Sequence, residues 1–172
     1  MKQRKNKRSP VSAICSALGT ICLIGIIILC VPVTLPKLIG YEVYTVVSGS
    51  MEPAIPTGSL VMIKGVDAQE VQAEDVIAFY GGPDSHAIIT HRVVENRVVM
   101  GEFITKGDAN AENDMNPVKY DALIGKVAFS LPVFGAVAQM LTSGEGKIVA
   151  ALVIVVSLLL HVLAGALEKR GK

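Results

Sequence analysis

Two uncharged runs, one near each end, constrain this 172-residue chain more than any other feature. Val11–Val31 holds 21 residues without a charge, and Ile148–Leu167 holds 20 with His161 as the one ionisable group. An α-helix rises about 1.5 Å per residue, so each run spans roughly 30 Å, the thickness of a bilayer core. The first exceeds the h-region of a cleaved signal peptide, about 7–15 residues. The PVTLPKLIG after it lacks a small-x-small cleavage site. It therefore reads as an uncleaved anchor, with Pro32 and Pro36 ending the helix. The second run lacks the polar face of a soluble helix and reads as a second span. His161 reads as a neutral, tolerated residue of that span, or one close to the interface with Glu168, Lys169 and Arg170; a functional residue inside the membrane is the competing reading.

Basic residues set the orientation of such a chain. Lys2, Arg4, Lys5, Lys7 and Arg8 precede the first run, and Lys169, Arg170 and Lys172 follow the second. The segment Lys37–Glu145 holds seven Lys/Arg against fourteen Asp/Glu, a balance of −7 hidden inside a formal net charge of +1. Both termini are expected in the cytosol and the middle domain outside it, in a cell membrane or, in a eukaryote, the ER membrane. The expected layout is a basic cytosolic N-terminus 1–10, transmembrane helix 11–31, extracytoplasmic domain 32–146, transmembrane helix 147–167 and basic cytosolic tail 168–172. Just over a hundred residues remain between the spans, enough for one core.

At 51% hydrophobic and 18% charged residues, the chain is not a disordered one. Its charge gives no reason to expect a nucleic-acid partner. Cys15, Cys22 and Cys30 all fall inside the first run, so the middle domain has no internal disulfide. No CxxC or Cys/His pattern suggests a metal, and no cofactor is expected.

In the middle domain, short Val/Ile-rich runs alternate with turn material. Ser59–Lys64, Asp75–Tyr80, Ala87–Val94, Arg97–Thr105 and Ala122–Phe129 read as strands. Gly65, Gly81–Asp84, Glu95-Asn96 and Gly107–Pro117 read as turns or loops. No helix of convincing length interrupts them. The expected fold is mainly β: a compact antiparallel, partly coiled or barrel-like extracytoplasmic domain flanked by two transmembrane α-helices. Pro132–Leu141 is short and apolar, suited to lie on a membrane surface or to lead into the second span.

Thr45–Leu60, TVVSGSMEPAIPTGSL, is the stretch richest in chemistry. Gly49 permits a sharp turn, and Pro53 and Pro56 stiffen the residues after it. A serine on such a turn can expose its hydroxyl among oxyanion donors, although Ser-Gly-Ser is also an ordinary loop sequence. A serine nucleophile needs a base. His86, in GGPDSHA, reads as a solvated hairpin-tip residue. His91, in IITHRVV, lies mid-strand, where a histidine is usually a satisfied core residue. A carboxylate can orient it, and ITKGDAN offers Asp108, with Asp114 six residues on. Lys64 and Lys106 are the competing bases, should burial lower their proton affinity.

SGSMEP, then THRVV about forty residues on, then TKGDAN followed by Asp114, resembles the type I signal peptidases, and within them the ER-type or SipW-like branch. The likeness covers roughly Val43–Val137 and the first run. It implies a β catalytic domain and a membrane-bound serine endopeptidase that removes signal peptides from pre-proteins after small-x-small sites. It implies Ser50 as nucleophile and His91 as base, where the common bacterial branch has a lysine. Asp108 and Asp114 then support His91, with the choice between them open. Ser48 lends its hydroxyl to an oxyanion hole beside the Ser50 N–H, and Glu52, Pro53 and Gly58 hold shape. The implied partners are signal peptides, the lipid bilayer and the protein-export machinery. A histidine base implies a rate that falls on acidification; a rate still rising beyond about pH 9 would indicate lysine. The competing readings are a membrane-tethered regulatory peptidase of the LexA-like fold, which would use Ser and Lys, and a non-catalytic adaptor or subunit of a peptidase complex.

Overall fold

The computed structural model of the chain describes residues 10–82 and 87–170. The N-terminal basic cluster, His86 and Lys172 lie outside the described residues. The chain divides into two compact units, one drawn from Met1–Pro32 with Met140–Lys172 and the other Val33–Gln139.

The long apolar runs fold as expected into helices, α1 (Pro10–Leu38) and α3 (Gly144–Arg170). Both are long and apolar enough to cross a membrane. Only 6% of the most apolar stretch of α1 and 11% of that of α3 is buried inside the protein, which is not how a soluble core helix sits. The helices touch through small and polar residues. Ser12 Oγ donates to Ala164 O at 3.0 Å and Ser157 Oγ to Gly19 O at 2.7 Å. His161 lies between them, with Nδ1 2.8 Å from Ser157 O and Nε2 3.2 Å from Thr20 Oγ1. A Cβ at Gly19 would stand 2.6 Å from His161 Nδ1, so glycine is what lets the helices approach here.

Pro32 and Pro36 do not end α1, contrary to expectation; the helix continues to Leu38. A proline removes one N–H and crowds the preceding turn, which weakens a helix without forbidding it, and apolar helices tolerate this. The stop is Gly40, at φ +86°, with Ile39 N–H and Gly40 N–H closing onto Pro36 O and Lys37 O.

The middle unit is one seven-stranded antiparallel sheet of half-barrel form: β1 (Tyr41–Thr45), β2 (Leu60–Lys64), β3 (Val76–Tyr80), β4 (Ile88–Arg97), β5 (Glu102–Lys106), β6 (Val118–Lys119) and β7 (Leu123–Leu131). Their spatial order is β1-β2-β7-β3-β4-β5-β6. The mainly β domain read from the sequence is therefore present. Successive strand residues face opposite ways. Ile77 and Phe79 thus join Val93, Phe103 and Val118 in one core, while Ala78 joins Met51, Ile55, Val61 and Ile63 in the other. β3 is buried on both faces.

The β4–β5 turn departs from expectation. Glu95-Asn96 is not a turn; β4 runs through it, with a bulge between Val93 and Glu95. The turn lies at Val98–Gly101, where Met100 and Gly101 donate to Arg97 O and Gly101 takes φ +65°. The cause is the partner set of Asn96. Its Nδ2 donates to Ala68 O at 2.9 Å and Val71 O at 2.7 Å, and its Oδ1 accepts from Tyr120. Asn96 is therefore a strand residue that ties the loop before β3 to the sheet. The apolar stretch after β7 forms α2 (Phe134–Thr142). Gly135 N donates to Gly58 O at 2.9 Å, and a Cβ at Gly135 would come within 2.5 Å of that oxygen. α2 so braces the loop that carries Ser50.

Candidate active site

The loop between β1 and β2 is shaped by its own side chains. Met51 and Ile55 plug into the core at 1% and 5% exposure. The Glu52 carboxylate accepts from Thr57 N at 3.2 Å and Thr57 Oγ1 at 2.9 Å, closing the loop. Those two donors hold the Glu52 carboxyl below its ordinary range. Gly58, at φ +83°, returns the chain to Val46, whose carbonyl accepts from Gly58 N at 2.8 Å. This leaves Ser50 partly buried on the loop, its Oγ 3.4 Å from Ser48 Oγ.

A second loop docks on Ser50 from behind. Ala109 N donates to Ser50 O at 2.9 Å. A Cβ on Gly107 would lie 2.6 Å from Ser50 O and 2.8 Å from Asn110 Nδ2. The glycine of the Gly-Asp pair is thus required by close approach, and the two signature loops are packed as one piece.

His91 comes from β4, paired with Ile77 of β3, and meets Phe79 edge-on at 6.2 Å between ring centres. Its Nδ1 lies 2.6 Å from Asp114 Oδ2. A carboxylate at Nδ1 makes that nitrogen the N–H donor and leaves Nε2 as the free base. Thr105 Oγ1 donates to the same Oδ2 at 2.6 Å.

Asp108 does not meet His91. It forms a two-pronged pair with Arg92, Nε to Oδ1 at 2.8 Å and Nη2 to Oδ2 at 2.7 Å, while Arg92 Nη1 donates to Glu74 O at 2.8 Å. The guanidinium pulls the Asp108 carboxyl below its ordinary range, and Asp108 in turn raises Arg92. Of the two carboxylates left open by the sequence, Asp114 is the one on the imidazole. Asp108 holds its loop to β4.

Ser48, Ser50, His91 and Asn110 line one cavity of about 510 Å³, walled by Val61 and Ile88 among other apolar residues. A larger cavity, about 980 Å³, is also bounded by His91 and Asp114, with Phe79, Tyr80 and Met115. It contains neither serine, so Ser50 and His91 share only the smaller one. No hydrogen bond joins Ser50 to His91 among the described residues; catalytic bonds are often long before substrate is bound. Neither Lys64 nor Lys106 lines the serine cavity. Among the described residues no cluster of three or more His, Cys, Asp or Glu is suited to a metal.

Sequence reasoning passed over Thr105, Asn110 and the Glu52–Thr57 clasp. Thr105 was open to discovery: a hydroxyl in an apolar strand run, FITKG, has to find a partner once buried.

The chain, an antiparallel half-barrel with an apolar helix at each end, is similar in sequence to a type I signal peptidase of the SipW kind. The particular relative is Signal peptidase I W of Bacillus subtilis (strain 168), 40% identical over 102 residues, 56% of this chain and 52% of that protein. The chain thus spans about half the length of the curated relative it matches. No family model matches the chain.

Proposed function

We propose that this chain is a membrane-bound serine endopeptidase that removes N-terminal signal peptides from exported pre-proteins after small-x-small sites. The observation that carries this reading is that Ser50 and His91 line one cavity while Asp114 holds the far nitrogen of His91 at 2.6 Å. The likeness to a signal peptidase supports it further.

In this reading, His91 Nε2 takes the Ser50 proton as Oγ attacks the scissile carbonyl. The Ser50 N–H and Ser48 hydroxyl stabilise the oxyanion. His91 then gives the proton to the leaving amine, which breaks the C–N bond and leaves an acyl-serine. Water, deprotonated by His91, attacks the ester and frees Ser50. Asp114 keeps the imidazole in one tautomer and balances its charge. The substrate is an extended strand, lying along the β1 edge and continuing past Val46 and Val47 into the cavity. Both termini face the cytosol and the β domain lies outside it, beside a substrate whose apolar segment is still in the bilayer.

The test is cleavage of a pre-protein in detergent or liposomes by wild type, Ser50→Ala, His91→Ala and His91→Lys. Wild type is expected to cut after a small-x-small site, both alanine variants to lose at least about 10³-fold in rate, and the wild-type rate to fall in acid. Near-full activity of His91→Ala removes His91 as base. A wild type that cuts no pre-protein favours an adaptor instead.

A further inference from the structure

Asp114 poses a mechanical problem. It sits in the irregular segment between β5 and β6, with its side chain 22% exposed, yet it contacts a histidine fixed in the middle of the sheet. A loop carboxylate must be tethered if it is to stay on one nitrogen of one ring. The tether visible here is Thr105.

We propose that Thr105 is a positioning residue for the base, clamping Asp114 against His91 Nδ1 through its hydroxyl and its carbonyl together. The proposal rests on the peptidase reading above. Thr105 is fully buried and lies in β5, opposite Val93 of β4, two residues beyond His91. Its carbonyl accepts from Asp114 N at 2.8 Å, and its Oγ1 donates to Asp114 Oδ2 at 2.6 Å. One residue thus holds both the backbone and the side chain of Asp114. β5 is bonded to β4, so the carboxylate inherits its position from the strand that carries His91.

The choice of oxygen matters. His91 Nδ1 and Thr105 Oγ1 meet the same Oδ2. A carboxylate oxygen has two lone pairs, and both are taken when each partner donates. A threonine that served packing alone would turn its hydroxyl to a backbone carbonyl, as buried strand hydroxyls commonly do. Here it goes to the side chain that orients the imidazole. Thr105 touches no reacting atom and works through Asp114.

The experiment uses the full chain in detergent and compares wild type, Thr105→Val and Thr105→Ser. Val keeps the branched shape without the donor; Ser keeps the donor without the methyl. Pre-protein cleavage is expected to show kcat lowered about 10–100-fold in Thr105→Val with KM within about twofold, and Thr105→Ser within about threefold of wild type. The far-downfield proton resonance of the His91 Nδ1–H, read without substrate, is expected in wild type and Thr105→Ser and lost or moved upfield in Thr105→Val. Wild-type kcat and an unchanged resonance in Thr105→Val overturn the proposal, as does a Thr105→Ser variant as impaired as Thr105→Val. If Thr105→Val does not fold, Thr105→Ala against Thr105→Ser puts the same question to the hydroxyl. If wild type cuts no pre-protein, the peptidase reading falls, and the resonance alone then decides for or against the clamp.

Discussion

Two aspartates six residues apart in one loop have separate partners, and their substitutions should separate too. Asp114→Asn puts an amide at His91 Nδ1, where its NH₂ favours the wrong tautomer. We expect kcat to fall by about 10³–10⁴ with the fold intact, read by cleavage kinetics beside thermal unfolding. Asp108→Asn breaks the two-pronged Arg92 pair instead, and should cost about 1–3 kcal/mol of stability in a denaturant titration. Its pH dependence has a definite sign. The folded Asp108 carboxyl is held below its unfolded value by Arg92, so its contribution is present above about pH 4 and is lost as pH falls through the lower folded value. The stability gap between wild type and Asp108→Asn should close in that acidic range; a gap constant down to pH 2 would contradict the pairing. The sequence left the two acids undecided for a physical reason. Both stand in turn-forming sequence, and what separates them is that Thr105 captures Asp114 while Arg92, one residue from His91, captures Asp108.

Among the elements, the core strands were legible because Val and Ile alternate along them and Gly or Pro bounds them. β1 and β6 were not: β1 mixes two tyrosines with Glu42 in place of a Val/Ile run, and β6 is two residues whose only mark is buried Val118. The β4–β5 turn was misplaced because Asn96 looks like a turn former in one dimension, while in three it answers two carbonyls of a distant loop. The end of α1 lies beyond both prolines because the left-handed turn at Gly40, and not a missing N–H, is what stops the helix. The element most exposed to a single change is the docking of the Gly107 loop on the serine loop. Gly107→Ala sets a methyl 2.6 Å from Ser50 O, against backbone that cannot swing aside as a side chain could. We expect about 1–3 kcal/mol of destabilisation and a loss of activity greater than that of Gly65→Ala, whose Cβ meets nothing within 4 Å. Equal activity of the two variants would show that the loops are not coupled.

For the whole molecule, composition was the most informative reading, since the two apolar helices and the acidic segment between basic ends are visible without any structure. The orientation they imply is testable. Val99, fully exposed at the β4–β5 turn, and Lys169, near the end of α3, offer two sites for single cysteines in a background lacking Cys15, Cys22 and Cys30. In intact cells, an impermeant maleimide should label Val99→Cys at once and Lys169→Cys only after permeabilisation. The reverse pattern would invert the proposed topology.

The contact between α1 and α3 bears on how such a chain can be re-engineered. Its serine links run from side chain to backbone, Ser12 to Ala164 O and Ser157 to Gly19 O. Every residue supplies a carbonyl, so the acceptors survive almost any substitution, whereas the two donors and the gap at Gly19 do not. A leucine run grafted in place of α1 would match its length and oiliness and lose its partner. The chimera would then carry two independent helices where the native chain has a packed pair.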